Sequence, residues 1–190
     1  MTASLRTARF AVLDFETTGL SPRQGAEIVE TGAVRFGGEG SGDTFSRLSR
    51  PRNPIPPMAT RIHNITDDMV AGEPPFAEIL PELLSFLGDR IVVAHNAPFD
   101  LGFLRAAMAS AGLPPLSNLV LDTVQLSRRV HPASPNHRLD FLCHHHDIFR
   151  EAGHRALDDA LATTELLRIL LEAAPSEVLD EYSELVEARA

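Results

Sequence analysis

The 190-residue chain contains no lysine, so all 17 of its fixed side-chain cations are arginine. We read that bias as compositional and draw no mechanism from it. The single cysteine, Cys143, excludes an internal disulfide and agrees with a reducing compartment. No run of apolar residues is long enough to span a bilayer. The opening segment, "MTASLRTARFAV", lacks the long apolar stretch of a secretory signal. These absences lead us to expect a cytoplasmic protein with no membrane partner. Positive charge is also scarce, at a formal net charge of −9. That argues against binding nucleic acid through the overall field of the molecule. It leaves room for a small site in which metal ions supply the positive charge.

Hydrophobic residues make up 44% and charged residues 23%, as expected for a soluble globular chain. The length suits one domain with a sizeable core. No internal repeat or polar linker divides it, so residues 1–190 are expected to form a single domain. Arg9 to Asp14 reads as a strand ending in Thr-Thr-Gly turn chemistry. Glu27 to Phe36 reads as a second strand, followed by the flexible "GGEGSGD", and Thr44 to Ser49 as a third. These closely spaced strands suggest an antiparallel meander. The Pro-rich stretch "RPRNPIPPMATRIHNIT" should be loop with one short helical turn.

Pro75 to Leu87 has helical apolar spacing, with Pro81 expected to distort it. Ile91 to Ala94 is a short apolar strand of the kind covered on both faces. Pro98 opens a helix to about Ala111, ended by Gly112. Residues 119–123 are a fifth strand candidate. Helices are expected at about 123–130, 138–146, 155–173 and 176–188, the last acidic and amphipathic. The order predicts an α/β fold, a mixed sheet with helices on its faces.

Three segments put acids where the pattern calls for core. In "VLDFETTGL", residues 12–20, Asp14 and Glu16 stand two apart in a strand and so face the same side, with Cα atoms roughly 7 Å apart. Phe15 faces the other way, towards a core. Two carboxylates on one face attract a hard cation such as Mg²⁺ or Mn²⁺; a strand end turned to solvent is the alternative. In "IVVAHNAPFD", residues 91–100, Asp100 falls in the first turn of a helix that follows an apolar strand. The helix dipole favours an acid there, but sites in α/β sheets also form just beyond strand ends. In "GHRALDDALATTELLRILL", residues 153–171, helical periodicity separates two neighbouring acids. Asp158 shares a mostly polar side with Arg155, Ala162, Glu165, Arg168 and Glu172. Asp159 lies with Ala156, Thr163, Leu166 and Leu170, and an acid on that apolar face is costly unless paired or bound to metal. Asp159 is therefore the candidate ligand, and His154, just before the helix, is free to reach into a cleft. The tract His144, His145 and His146 imitates a metal site, but consecutive helical residues point in different directions.

Taken together, "DFETTGL", "HNAPFD" and "HRALDDA" resemble the three motifs of the DEDDh class of 3′→5′ exonucleases, and are similar to the epsilon proofreading subunit of bacterial DNA polymerase III. "RIHNIT" at 61–66 and "NHRLDFLC" at 136–143 resemble segments between those motifs. The likeness covers about residues 8–172. It implies a ribonuclease-H-like fold with a mixed five-stranded sheet flanked by helices. It implies that Asp14, Glu16, Asp100 and Asp159 hold two divalent metal ions, Mg²⁺ or Mn²⁺, and that His154 is the general base. The family spacing from His to the metal aspartate picks Asp159 over Asp158, as the helical pattern does. The resemblance further implies that Thr17, Thr18 and Leu20 line the 3′-terminal nucleotide, with His63, Asn96 and Phe99 as additional contacts. Phe99 and Leu20 could stack against bases or simply pack.

The expected activity is hydrolysis from the 3′ end of single-stranded DNA in proofreading or repair, with a polymerase subunit as a conceivable partner. An exoribonuclease of the ribonuclease T or oligoribonuclease kind is the alternative. A non-catalytic module of a polymerase complex is the reading from another class; loss of a catalytic group would favour it, and none is lost.

Overall fold

Every apolar side chain from Phe10 to Phe15 is buried, because their strand is covered on both faces. The computed structural model describes residues 5–150 and 154–180. Its strands are β1 (Phe10–Thr17), β2 (Ile28–Phe36), β3 (Thr44–Leu48), β4 (Ile91–Ala94) and β5 (Val120–Asp122). They form one sheet of order β3-β2-β1-β4-β5. β1 pairs antiparallel with β2, and β2 with β3; β1 pairs parallel with β4, and β4 with β5. This is the mixed five-stranded sheet expected.

Alternation along β1 divides the core in two. Ala11, Leu13 and Phe15 face α3 (Phe76–Leu87) and α4 (Ala97–Ser110), joining a cluster that includes Leu80, Leu83 and Leu104. Phe10 and Val12 face the other side. There they meet α5 (Thr123–Val130), α6 (Leu139–His145) and α7 (Ala156–Ala173) through Leu126, Leu142, Leu166 and Leu170. Burying each such leucine stabilises the fold by about 1.5–3 kcal/mol. No helix among the described residues is long and apolar enough to cross a membrane.

Three local expectations need adjusting. β1 does not stop at Asp14 but runs to Thr17, because pairing with β2 continues through Glu16–Glu30 and, past a bulge, Thr17–Ile28. The Pro-rich stretch holds one short helix, α1 (Pro57–His63), two turns long where one was expected, and a second short helix, α2 (Asp67–Val70), follows directly after it. Proline is tolerated in a helix's first turn, and Ile55, Ala59, Ile65 and Val70 pack on Val29 of β2 as a small separate cluster. α3 runs unbroken through Pro81, which sits on its exposed side. Of the expected helix at 176–188, residues 176–180 are helical and the remainder lies outside the described residues.

α7 crosses β2 at Gly32, where a Cβ would fall 2.2 Å from the Ala156 carbonyl carbon. Only glycine allows that approach. Gly32→Ala should therefore lower stability by about 2 kcal/mol or more through overpacking. Gly102→Ala, in α4 with nothing within 4 Å of its added carbon, should gain up to about 1 kcal/mol from helix propensity. Denaturant titration of the two variants reads both signs; equal effects would contradict the close crossing.

Candidate active site

β1 outruns its parallel neighbour. Its ladder with β4 covers only Phe10–Val12 against Ile91–Val93, so its last residues have no strand on that side. Asp100 fills the gap: its Oδ1 accepts the Phe15 N–H at 3.0 Å, satisfying a backbone donor that would otherwise be buried unpaired. Asn96 at φ 69 makes the tight turn from β4 that starts α4 in time to deliver Asp100 there. Asp14 and Glu16 share the face of β1 that carries Phe10 and Val12, and that face looks at α7. From α7, Asp159 projects towards them with Ala156, Thr163, Leu166 and Leu170, all buried. Asp158 stays half-exposed.

The three acids deepest in the site are almost wholly enclosed: Glu16 is 8%, Asp100 3% and Asp159 5% exposed. Glu16, Asp159 and His154 can each point one ligand atom so that all lie within 4.8 Å of one another. His154 sits at the rim, half-exposed, with φ 27, a conformation uncommon outside glycine. Its Nδ1 is 3.8 Å from Asp159 Oδ2. Asp14, Asn96, His154 and Asp159 line an open cleft of about 480 Å³.

Crowded carboxylates in a low-dielectric place repel one another and hold their protons. Burial first, then the charges of Asp159, Glu30 and Asp100, pushes Glu16 from its ordinary 4.5 up to about 8. Burial also raises Asp100 from 3.8 to about 7, against the pull of the Phe15 N–H. Asp14 is raised well above its usual value by burial and then by Asp100, Asp159 and Glu16. One arginine opposes this. Arg150 forks onto Asp159 through Nε and through Nη2 (2.7 Å), reaches Asp140 through Nη1, and brings Nη2 to 3.3 Å from His154 Nδ1. One guanidinium does not balance four acids. A set of hard oxygens with excess negative charge fits divalent cations.

Several residues of the site had no signal in the sequence. Glu30, 2% exposed, lies opposite Glu16 in the β1–β2 register. It takes Arg155 in a two-pronged grip (3.0 Å to each oxygen from Nε) and accepts the Ala156 N–H at 3.0 Å. α7 has no side-chain cap of its own, so Glu30 caps it from the sheet and fixes the turn carrying His154. Losing that acceptor would leave a buried N–H unpaired, at a cost of about 1–3 kcal/mol. Arg155, assigned by periodicity to the side of Asp158, is thus held by Glu30. His95 donates from Nε2 to the His137 carbonyl (2.9 Å) and accepts from Thr123 at Nδ1 (2.9 Å), tying the segment before α6 to the end of β4.

The expected substrate residues are spread around the site. Thr17 is buried, its hydroxyl donating to Gly19 O at 2.7 Å, and Thr18 Oγ1 accepts the Glu27 N–H at 2.9 Å. Both hydroxyls thus brace the turn that presents Leu20, which is 85% exposed. Asn96 is exposed at the cleft, while Phe99 is half-buried against Phe103. His63 is buried beneath the surface, its Nδ1 accepting the Ile65 N–H at 3.0 Å.

The family model described as "Exonuclease" matches residues 11–167. A DNA polymerase III PolC-type protein of Halalkalibacterium halodurans is 40% identical over 176 residues, covering 92% of this chain and 12% of its own length. A DNA polymerase III subunit epsilon-like protein of Rhodobacter capsulatus is 44% identical over 177 residues, 91% of this chain and 25% of its own. The chain thus spans a minor part of these relatives. Among solved structures, exonuclease X in complex with 5′-overhanging duplex DNA superposes with a TM-score of 0.69 at 30% identity, covering 92% of this chain and 99% of that one.

The raised carboxylates predict how metal binding depends on pH. Their folded-state values exceed the unfolded ones, so without metal the folded state loses stability as pH rises from 4.5 through about 8. A divalent cation binds the ionised form and reverses that loss. The rise in melting temperature on adding Mn²⁺ should therefore grow across this interval. A metal-induced rise independent of pH would contradict the clustering.

Proposed function

Because the chain belongs to the exonuclease family, we propose that it removes nucleotides from the 3′ end of single-stranded DNA by phosphodiester hydrolysis. The observation that supports this best is convergence: Asp14 from β1 and Asp159 from α7 line one cleft with His154, Glu16 brings a ligand atom close to those of His154 and Asp159, and Glu16 and Asp100 lie near enough for their charges to act on Asp14. Asp14, Glu16, Asp100 and Asp159 are the residues that would hold two divalent ions, Mg²⁺ or Mn²⁺. Bound there, such ions supply charge stabilisation for the attacking and leaving oxygens of an in-line displacement.

His154 supplies the base. Its Nδ1 is turned towards Arg150 and Asp159, which leaves Nε2 on the solvent side to take the proton of the attacking water. Imidazole is the side chain that exchanges a proton near neutral pH. The glycine-flanked turn after β1 offers its backbone to the terminal sugar, and the exposed Leu20 offers an apolar face to the terminal base. Asn96 contributes from the start of α4, and Phe99 and His63 are the further candidate contacts. DNA is preferred to RNA as substrate because the exonuclease X structure holds DNA and the relatives are DNA polymerase III proteins. Those relatives also support a proofreading role beside a polymerase.

Degradation of 3′-end-labelled DNA and RNA oligonucleotides, with Mg²⁺, Mn²⁺ or a chelator, tests this reading. DNA should be shortened and the chelator should stop it; activity indifferent to chelator would refute the metal assignment. His154→Ala should lower kcat by about 10²–10⁴-fold with Mn²⁺ affinity largely kept. Asp14→Ala should lose turnover together with metal affinity. A fully active His154→Ala, or an Asp14→Ala that binds metal as the wild type does, would overturn the respective role.

A further inference from the structure

A chain of net charge −9 that acts on a polyanion must find its attraction locally. Two divalent ions would cancel the four carboxylates and leave nothing over for phosphates beyond the one being cut. Within the cleft, Arg150 is already committed to Asp159 and Asp140. The other two arginines that line it, Arg128 and Arg138, are exposed. Among the described residues neither side chain has a hydrogen-bonded or ionic partner.

Their backbone, in contrast, is braced. His137 is held by His95 through its carbonyl and by Ser127 through Nδ1 (2.9 Å), and the Arg138 N–H is taken by Asn136 Oδ1 (2.9 Å). Arg128 follows Ser127 directly on α5. The two guanidinium groups thus stand on one braced platform, unpaired among the described residues.

Topology supplies a direction. The hollow around Thr18 and Leu20 is bounded by Glu27, Asn53 and Pro54, on the β2–β3 half of the sheet. Arg128 and Arg138 follow β5, on the opposite half. A strand whose 3′ nucleotide rests at Leu20 and whose scissile phosphate lies at the acids continues towards Arg128 and Arg138. We propose that these two arginines form a phosphate track for the strand on the 5′ side of the scissile bond. The proposal rests on the exonuclease reading. It makes both arginines binding residues that carry no sequence preference.

The test is equilibrium binding of a dye-labelled single-stranded oligothymidylate whose 3′ linkages are phosphorothioates that resist hydrolysis. Affinity is measured against salt at fixed Mn²⁺ for the wild type, Arg128→Gln, Arg138→Gln, the double variant and Arg105→Gln. Arg105 lies on α4 outside the cleft. Each track variant should flatten the plot of log affinity against log salt by about 0.7, and the double variant by about 1.4. Oligodeoxyadenylate should give the same loss, and Arg105→Gln should match the wild type. An unchanged slope in the double variant, an equal flattening in Arg105→Gln, or no binding by the wild type would overturn the track. Failure of the wild type to shorten an ordinary oligonucleotide would instead sink the exonuclease reading and leave the slopes to judge the track.

Discussion

Four carboxylates held together where water is scarce are the constraint on which the rest of the structure depends. Left to themselves they would separate or stay protonated, and the raised values of Asp14, Glu16 and Asp100 record that tension. The scaffold prevents separation by using three rigid elements. β1 fixes two acids on one face. The Phe15 N–H at the end of its open edge holds Asp100. α7, pressed onto β2 at Gly32 and capped by Glu30, delivers Asp159. Arg150 relieves part of the repulsion and stands where a cation is needed.

The acids are seated by the sheet and by helices whose leucines are fully buried, so their spacing is set by core packing. His154 sits at the surface, on a backbone turn whose next residues are gripped by Glu30. Its ring is therefore anchored at the base and open at the tip, as the proposed role of a base requires.

Much of this was legible in the sequence because two periodicities are simple. Period two along β1 put Asp14 and Glu16 on one side and Phe15 on the other, and the core clusters divide that way. Period 3.6 separated Asp159 from Asp158, and the structure buries only the former. The parts that were not legible depend on long-range contact. Glu30 reads as an ordinary polar position in a strand until β2 is placed under α7. Arg150 and Arg155 look alike as surface arginines, although one grips Asp159 and the other Glu30. The extra residues of β1 follow from pairing with β2 across a bulge, and the short helices in and just after the Pro-rich stretch follow from packing on Val29. None of these contacts leaves a local pattern.

If Asp14, Glu16, Asp100 and Asp159 form one site for divalent cations, anomalous diffraction from crystals grown with Mn²⁺ will show two peaks among these four carboxylates, about 3.5–4 Å apart, with Arg150 withdrawn from Asp159. Mn²⁺ bound at His144, His145 and His146 with none at the carboxylates would contradict it.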